Sequence, residues 1–240
     1  MGNSVTQPTQ GRRADASRQA GFSLYGAKGG RKYLNRAERQ RVLSAIEELE
    51  IDRALFALTL AWTGARVSEA LALTPASFQI EGAGIVAIET LKRRRYIVRE
   101  VPIPPELMGA LDRHFGIAEA QHLPDATERR LWPWCRVTAW RFIKDAMRRG
   151  GVVGQRASPR GLRHSFAVGA LQAGVPLNIV QIWLGHAKLE TTAIYAAVCG
   201  PEEVALAAMF WRFGESGAGT IEDLPRRSRR FDRRANSAGE

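Results

Sequence analysis

Residues 158–198 read SPRGLRHSFAVGALQAGVPLNIVQIWLGHAKLETTAIYAAV. Proline and glycine cut this stretch into helix-sized pieces. Ser158-Pro159 opens the first, Gly174 to Pro176 separates it from the second, and Gly185 closes the second. Apolar residues recur at helical spacing within Leu162 to Ala173, Leu177 to Leu184 and Thr191 to Val198, which predicts three successive helices. Set among them are Arg160, Arg163, His164, His186 and Tyr195. Singly, each has an ordinary structural reading: a solvated arginine, a histidine capping a helix end, a tyrosine in the core or at its rim. Their grouping is what asks for another explanation.

Working outward toward the N-terminus, the pattern stays helical. Asn35 and Glu38 form an Asn-x-x-Glu capping signature ahead of Val42, Leu43, Ile46 and Leu49. Ile51, Leu55, Leu58, Ala61 and Trp62 are predicted to line one face of the next helix, which Gly64 is placed to end. Ala65 and Arg66 then open a helix expected to run through Glu69 to Leu73. A cation at a helix start is poorly matched to the helix dipole, so Arg66 also invites a functional reading. GIVAIET (84–90) and YIVREVPIP (96–104) are β-branched stretches joined by LKRRR, predicting a hairpin with Lys92, Arg93, Arg94 and Arg95 at its tip. Solvated cations are the ordinary reading of that tip and phosphate contact the alternative. Leu107 to Phe115, Val137 to Arg149 and Glu202 to Trp211 are further helix candidates. The fold class expected is mainly α with a small antiparallel β-hairpin or sheet, an α+β chain.

The flanks differ in kind. Residues 1–32 hold six basic side chains against one Asp and few large apolar ones, and read as a flexible basic arm. Residues 214–240 read as a disordered Arg-rich tail, with six Arg and one Asp in PRRSRRFDRR (225–234) alone. The whole chain of 240 residues carries 35 Lys+Arg against 24 Asp+Glu, a net charge of +11, which favours a polyanionic partner such as nucleic acid over an acidic small molecule. No apolar run approaches the roughly 18 residues a membrane span needs, and the N-terminus lacks the apolar centre of a signal peptide. A cytoplasmic protein acting at the nucleoid or on a plasmid, with no membrane partner, is expected. Cys135 and Cys199 sit in no CxxC or Cys/His ligand spacing; two ordinary buried thiols, no metal and no cofactor are expected.

Several of these segments together resemble the tyrosine recombinase (phage integrase) family over residues 33–213, read as its catalytic domain. TGARVSEAL (63–71) resembles the family's first arginine box, with Arg66 as a phosphate clamp and Glu69 as a supporting carboxylate. LKRRRYIVREVPIP (91–104) resembles the hairpin that carries the family's catalytic lysine, placed here at Lys92, with Arg93, Arg94 and Arg95 as DNA contacts. In residues 158–198, Arg163 matches the second clamp, His186 the later histidine, and Tyr195 the nucleophile, 32 residues after Arg163 and nine after His186.

The residue types suit the chemistry that this resemblance implies. A phosphodiester is anionic and resists an incoming oxyanion, so attack needs cations on its non-bridging oxygens. Arginine offers a planar fork of donors and stays charged at working pH. A phenol with a pKa of about 10 must lose its proton, and a cation-rich pocket is expected to favour phenolate. The resemblance implies a covalent 3′-phosphotyrosine intermediate that conserves the energy of the broken bond, with Lys92 protonating the departing 5′-oxygen and His186 donating to the phosphate. One position departs from the family pattern: Arg160 stands where its His-x-x-Arg box usually has histidine, and arginine cannot act as a general base. Three readings stay open. Arg160 is a third clamp that lowers the phenol pKa, which is the one preferred; or His164 or His186 takes the proton; or the enzyme is slow or inactive.

The family's additional N-terminal helical domain has no counterpart in the 32 residues before the match, a layout similar to catalytic-domain-only recombinases such as fimbrial-switch inverters. Weak intrinsic affinity for double-stranded DNA is then expected, offset by the basic tails and by DNA-bending accessory proteins. The apolar segment at 201–213 matches the helix that family members dock on a neighbouring protomer, implying a homotetramer on DNA. The leading expectation is a site-specific recombinase for integration, resolution or inversion of a mobile element or plasmid. The alternatives are a type IB topoisomerase-like nicking-closing enzyme and a catalytically weak or inactive DNA-binding accessory protein.

Overall fold

The computed structural model describes residues 23–26, 29–82, 84–90 and 97–196. Helix α1 (Arg36–Glu47) begins as its capping signature predicts: Asn35 Oδ1 accepts the Glu38 amide at 2.8 Å, and Glu38 Oε2 accepts the Asn35 amide at 3.0 Å. Helix α2 (Ile51–Thr63) ends at Gly64, left-handed at φ 62° and so close to the Phe166 ring that a Cβ would collide with it. Its buried side differs from the predicted one. Ile51 and Trp62 are 53% and 37% exposed, while Ala54, Leu55, Phe56, Ala57, Leu60 and Ala61 face inward. The reason is tertiary: α2 packs against several helices at once, so its buried stripe is wide and rotated from the one chosen by spacing. Trp62 is covered instead by the Arg39 guanidinium, 5.1 Å from its ring.

Helix α3 (Val67–Ala70) is a single turn and stops short of Leu73. The Leu73 amide bonds to the Ala70 carbonyl in a tightened turn, and Thr74 is extended because Pro75 follows it. The two predicted strands are present as β2 (Ile85–Glu89) and β3 (Val98–Pro102), antiparallel with Val86 opposite Val101 and Ile88 opposite Arg99. A two-residue strand β1 (Phe78–Gln79), too short to show alternation, pairs with the other edge of β2. The Thr90 amide bonds to the Ile97 carbonyl at 2.8 Å at the base of the hairpin; its tip, with Lys92, Arg93, Arg94 and Arg95, lies outside the described residues.

Beyond the sheet come α4 (Pro105–Phe115), α5 (Ile117–Ala120), α6 (Pro124–Thr127) and α7 (Arg136–Arg149). Then follow α8 (Pro159–Gln172), α9 (Leu177–Leu184) and α10 (Glu190–Ala196). Four-residue helices such as α5 and α6 complete barely one turn and give no periodic signal. The predicted helix at 202–211, Cys199 and the C-terminal tail lie outside the described residues. Cys135 is a correction: it is exposed at the start of α7, with Sγ 3.2 Å from Thr138 Oγ1, because it caps a helix instead of entering the core.

Two apolar clusters hold these elements. The larger gathers α1, α2, α4, α7 and the inner face of the sheet around Phe56 and Trp132, whose rings meet edge to face at 5.2 Å. The smaller joins Leu24 and Tyr33 to Phe166, Val168, Val180, Leu184 and Tyr195. Leu24 is 3% exposed, and the Leu34 amide bonds to Ser165 Oγ at 2.7 Å. The last part of the predicted flexible arm is therefore folded onto α8. Burying a leucine stabilises by about 1.5–3 kcal/mol, enough to anchor a short segment whose polar average conceals it. Among the described residues no helix is long and apolar enough to cross a membrane.

Candidate active site

The Gly64 turn aims the chain so that Arg66 stands immediately before α3, and Glu69 secures it from within that turn. Glu69 is 2% exposed; its Oε2 accepts the Arg66 amide at 2.9 Å and its Oε1 accepts Arg66 Nη1 at 2.6 Å. The carboxylate thus resolves the mismatch of a cation at a helix start. Arg99, from the inner face of β3, completes the cluster. Its Nη2 donates to Glu69 Oε2 at 2.6 Å, its Nη1 to Thr90 Oγ1 at 3.1 Å, and its Nε to the Trp183 carbonyl at 2.7 Å. Burial pushes the Glu69 carboxyl up, but the two guanidiniums and the Arg66 amide together hold it below the usual carboxylate range.

Arg163 is set differently. It projects from α8, 8% exposed, and donates through Nη1 to the Gly64 carbonyl and through Nη2 to the Leu184 carbonyl, each at 2.5 Å. It therefore ties the end of α2 to the end of α9. Burial first, then repulsion from Arg66, lowers its pKa to about 9 against partial compensation by Glu69. A guanidinium held this way gains from an incoming anion.

His186 follows Gly185, the left-handed residue that ends α9, and the His186 amide bonds back to the Gln181 carbonyl at 3.1 Å. Its Nδ1 lies 3.0 Å from Oγ1 of the fully buried Thr192. With the Thr192 hydroxyl donating, the ring proton sits on Nε2 and is free for a ligand. Burial, then Arg163 and Arg66, lowers the His186 pKa to about 3, so the ring is a neutral hydrogen-bonding group at pH 7. It lies nearly parallel to the Tyr195 ring, centroids 6.3 Å apart.

Tyr195 itself is 3% exposed, and its hydroxyl is 2.8 Å from His164 Nδ1. This contact brings together residues 31 apart in the chain. Burial raises the phenol pKa, while Arg163, Arg160 and Arg66 pull it down. The arginines act in the expected direction, toward phenolate, but desolvation outweighs them. His164 is 8% exposed; burial, then Arg160, Arg163 and Lys32, lowers its pKa to about 4, and its Nε2 is buried with no hydrogen-bond partner. Arg160 stands exposed at the rim.

Arg66, Arg160, Arg163, His164, His186 and Tyr195 all line one open cleft of about 680 Å³, and Arg136 and Trp140 of α7 extend its wall. Lys92 lies outside the described residues, but Thr90 at the hairpin base lines a neighbouring cleft together with His186. Arg99, Thr90 and Thr192 were not among the residues expected from sequence. Arg99 shares the inward alternation of Val101 and Ile103, but its charge masks that pattern, since a charged strand residue is ordinarily expected to face solvent.

The phage integrase family model matches residues 32–199. The chain is 31% identical over 176 residues to the tyrosine recombinase XerA of Pyrococcus furiosus, covering 70% of this chain and 57% of that protein. It is 35% identical over 161 residues to the tyrosine recombinase XerD of Corynebacterium glutamicum, covering 61% and 48%. It thus spans about half the length of these curated relatives. Its fold matches that of a solved XerA recombinase, with a TM-score of 0.58 at 24% identity over 75% of this chain and 62% of that one. It also matches the catalytic domain of bacteriophage HP1 integrase, with a TM-score of 0.53 at 23% identity over 78% of this chain and 98% of that one. A third match is XerH bound to its palindromic difH substrate, with a TM-score of 0.60 at 22% identity over 75% and 53%. With four arginines, two histidines and a tyrosine on one cleft, and a family match across most of its length, the chain belongs to the phage integrase family.

Proposed function

We propose that this chain is a site-specific tyrosine recombinase that cleaves and rejoins double-stranded DNA through a 3′-phosphotyrosine at Tyr195. The observation that carries this reading is the convergence of Arg66, Arg163, His186 and Tyr195, drawn from four separate elements, on one open cleft. Arg66 and Arg163 hold the non-bridging oxygens of the scissile phosphate, His186 donates to it through Nε2, and Arg160 adds a third cation from the rim. The need for a metal is replaced by these cations.

The departure at position 160 leaves the tyrosine proton without the usual acceptor, and the geometry favours His164. The O–H bond of Tyr195 breaks and its proton passes to His164 Nδ1, 2.8 Å away. The phenolate oxygen bonds to phosphorus, the bond from phosphorus to the 5′-oxygen breaks, and that oxygen takes a proton from Lys92. Religation is the reverse with a different 5′-hydroxyl. With the protein's own groups alone the transfer is uphill, since the phenol is raised and the imidazole lowered. A bound phosphodiester anion offsets the repulsion that Arg160, Arg163 and Lys32 exert on a His164 imidazolium, so the base strengthens only when substrate is present.

Arg136 and Trp140 carry the DNA surface away from the cleft, and the basic residues 1–32 and 214–240 add sequence-independent backbone contacts. The apolar segment at 201–213 docks on a neighbouring protomer in a tetramer on DNA, and bending proteins assist assembly. The element served is a mobile element or plasmid undergoing integration, resolution or inversion. A duplex nicked just beyond the cleavage site, so that the cut end diffuses away, tests the reading. The chain should become covalently attached to such DNA and Tyr195→Phe should not; no attachment to any candidate site would instead support an accessory DNA-binding role. Exchange between two separate sites distinguishes a recombinase from a nicking-closing enzyme.

A further inference from the structure

We propose that Arg99 is a positioning residue that sets both phosphate-clamping arginines through one buried hub, an inference that rests on the recombinase reading above. It is 4% exposed and emerges on the inner face of β3, in line with Val101, where an apolar side chain would ordinarily sit. Its three hydrogen bonds run to three elements. Glu69 Oε2 leads directly to Arg66, whose amide and Nη1 the same carboxylate holds. The Trp183 carbonyl is next to the Leu184 carbonyl that receives Arg163 Nη2, two residues before Gly185 and three before His186. Thr90 Oγ1 belongs to the base of the hairpin that bears Lys92.

The arrangement is built around this one side chain. A Cβ on Gly185 would sit 3.2 Å from both Arg99 Cδ and Nη1, so the left-handed glycine that ends α9 also makes room for the guanidinium. Only a planar fork reaches a carboxylate, a hydroxyl and a carbonyl in divergent directions; a lysine ammonium is a point charge and satisfies them poorly. Arg66 and Arg163 come from segments 97 residues apart, yet Arg66 bonds to the carboxylate that Arg99 holds and Arg163 to the carbonyl next to the one that Arg99 holds. Arg163 also bonds directly to the Gly64 carbonyl, two residues before Arg66, and Arg99 braces the same pair from the opposite side, so the distance between the clamps and their fit to a phosphate depend on both links. A clamp misplaced by about 1 Å lowers the rate on the order of 100-fold.

The test measures single-turnover attachment of nicked DNA, on an ordinary scissile phosphodiester and on one with a methyl group in place of a non-bridging oxygen. The methylphosphonate is neutral and needs no precisely spaced cations. An apolar replacement of Arg99 strands Glu69 with less compensation, so the variants are Arg99→Lys and Arg99→Gln, each leaving a donor beside the carboxylate, with folding checked by thermal melts. DNA affinity should be unchanged. On the phosphodiester both variants should be slower than wild type by on the order of 100-fold, and on the methylphosphonate by only a few-fold. Equal slowing on both substrates, or slowing explained by loss of fold or of DNA binding, overturns the inference and leaves the recombinase reading intact. A wild-type chain that never attaches to DNA overturns both.

Discussion

The two clamping arginines occupy contrasting surroundings. Arg66 is bonded to a buried carboxylate that a second buried arginine shares, so its charge is compensated and its geometry held before any ligand arrives. Arg163 is bonded to two carbonyl oxygens at helix ends, and burial leaves its guanidinium weakened, with a pKa of about 9. The histidines and tyrosine beside it are all pushed toward their neutral forms. The Arg66 side of the cleft holds one carboxylate between two guanidiniums, whereas the Arg163 guanidinium is bonded to neutral carbonyls alone. In the proposed reaction a phosphodiester brings an anion to the Arg163 side, so binding and activation coincide there and are separate on the Arg66 side.

The contrast is broken most severely at Glu69. Glu69→Leu leaves Arg99 buried without its carboxylate and should destabilise the fold by about 3–5 kcal/mol in denaturant titrations. Arg163→Met strands two carbonyls but no charge, so it should destabilise less than Glu69→Leu, by about 1–3 kcal/mol, yet it removes donors proposed to meet the developing charge. Attachment should fall by on the order of 100 to 1,000-fold. His164→Asn keeps a hydrogen bond to the Tyr195 hydroxyl without a basic ring, and should slow attachment by on the order of 100-fold in single-turnover assays. The smallest change is in pH dependence. The folded-state pKa values of His164 and His186, about 4 and about 3, lie below the ordinary 6.5, so the unfolded chain binds protons first as pH falls. DNA-free stability should decline from about pH 6.5 toward pH 4, and His186→Asn should make that decline shallower; an unaltered slope would mean that His186 titrates normally.

Features encoded by near neighbours were legible in the sequence. The Asn35–Glu38 cap, the Gly64 stop and the limits of α9 each follow from residues within a turn or two, and the structure has them in place. The site residues were legible by resemblance, in order and spacing, and five of the six catalytic assignments line the cleft while Lys92 lies outside the described residues. What sequence did not reveal depends on packing between distant segments. Arg99 is hidden by its place in a strand whose charged residues are expected to face solvent. Leu24 is hidden by the polar residues around it, although it packs near Tyr195 in the smaller core. The His164–Tyr195 contact, on which the proposed proton transfer rests, exists only because α10 folds back onto α8.

The central claim, that Tyr195 attacks the phosphate from this cleft, is tested most directly by locating the attached DNA. Proteolysis of the adduct formed on a nicked duplex, followed by mass spectrometry, should find a nucleotide 3′-phosphate on the Tyr195 side chain and a free 5′-hydroxyl on the released strand. Attachment through another residue, or a phosphate left on the 5′ end, would contradict it.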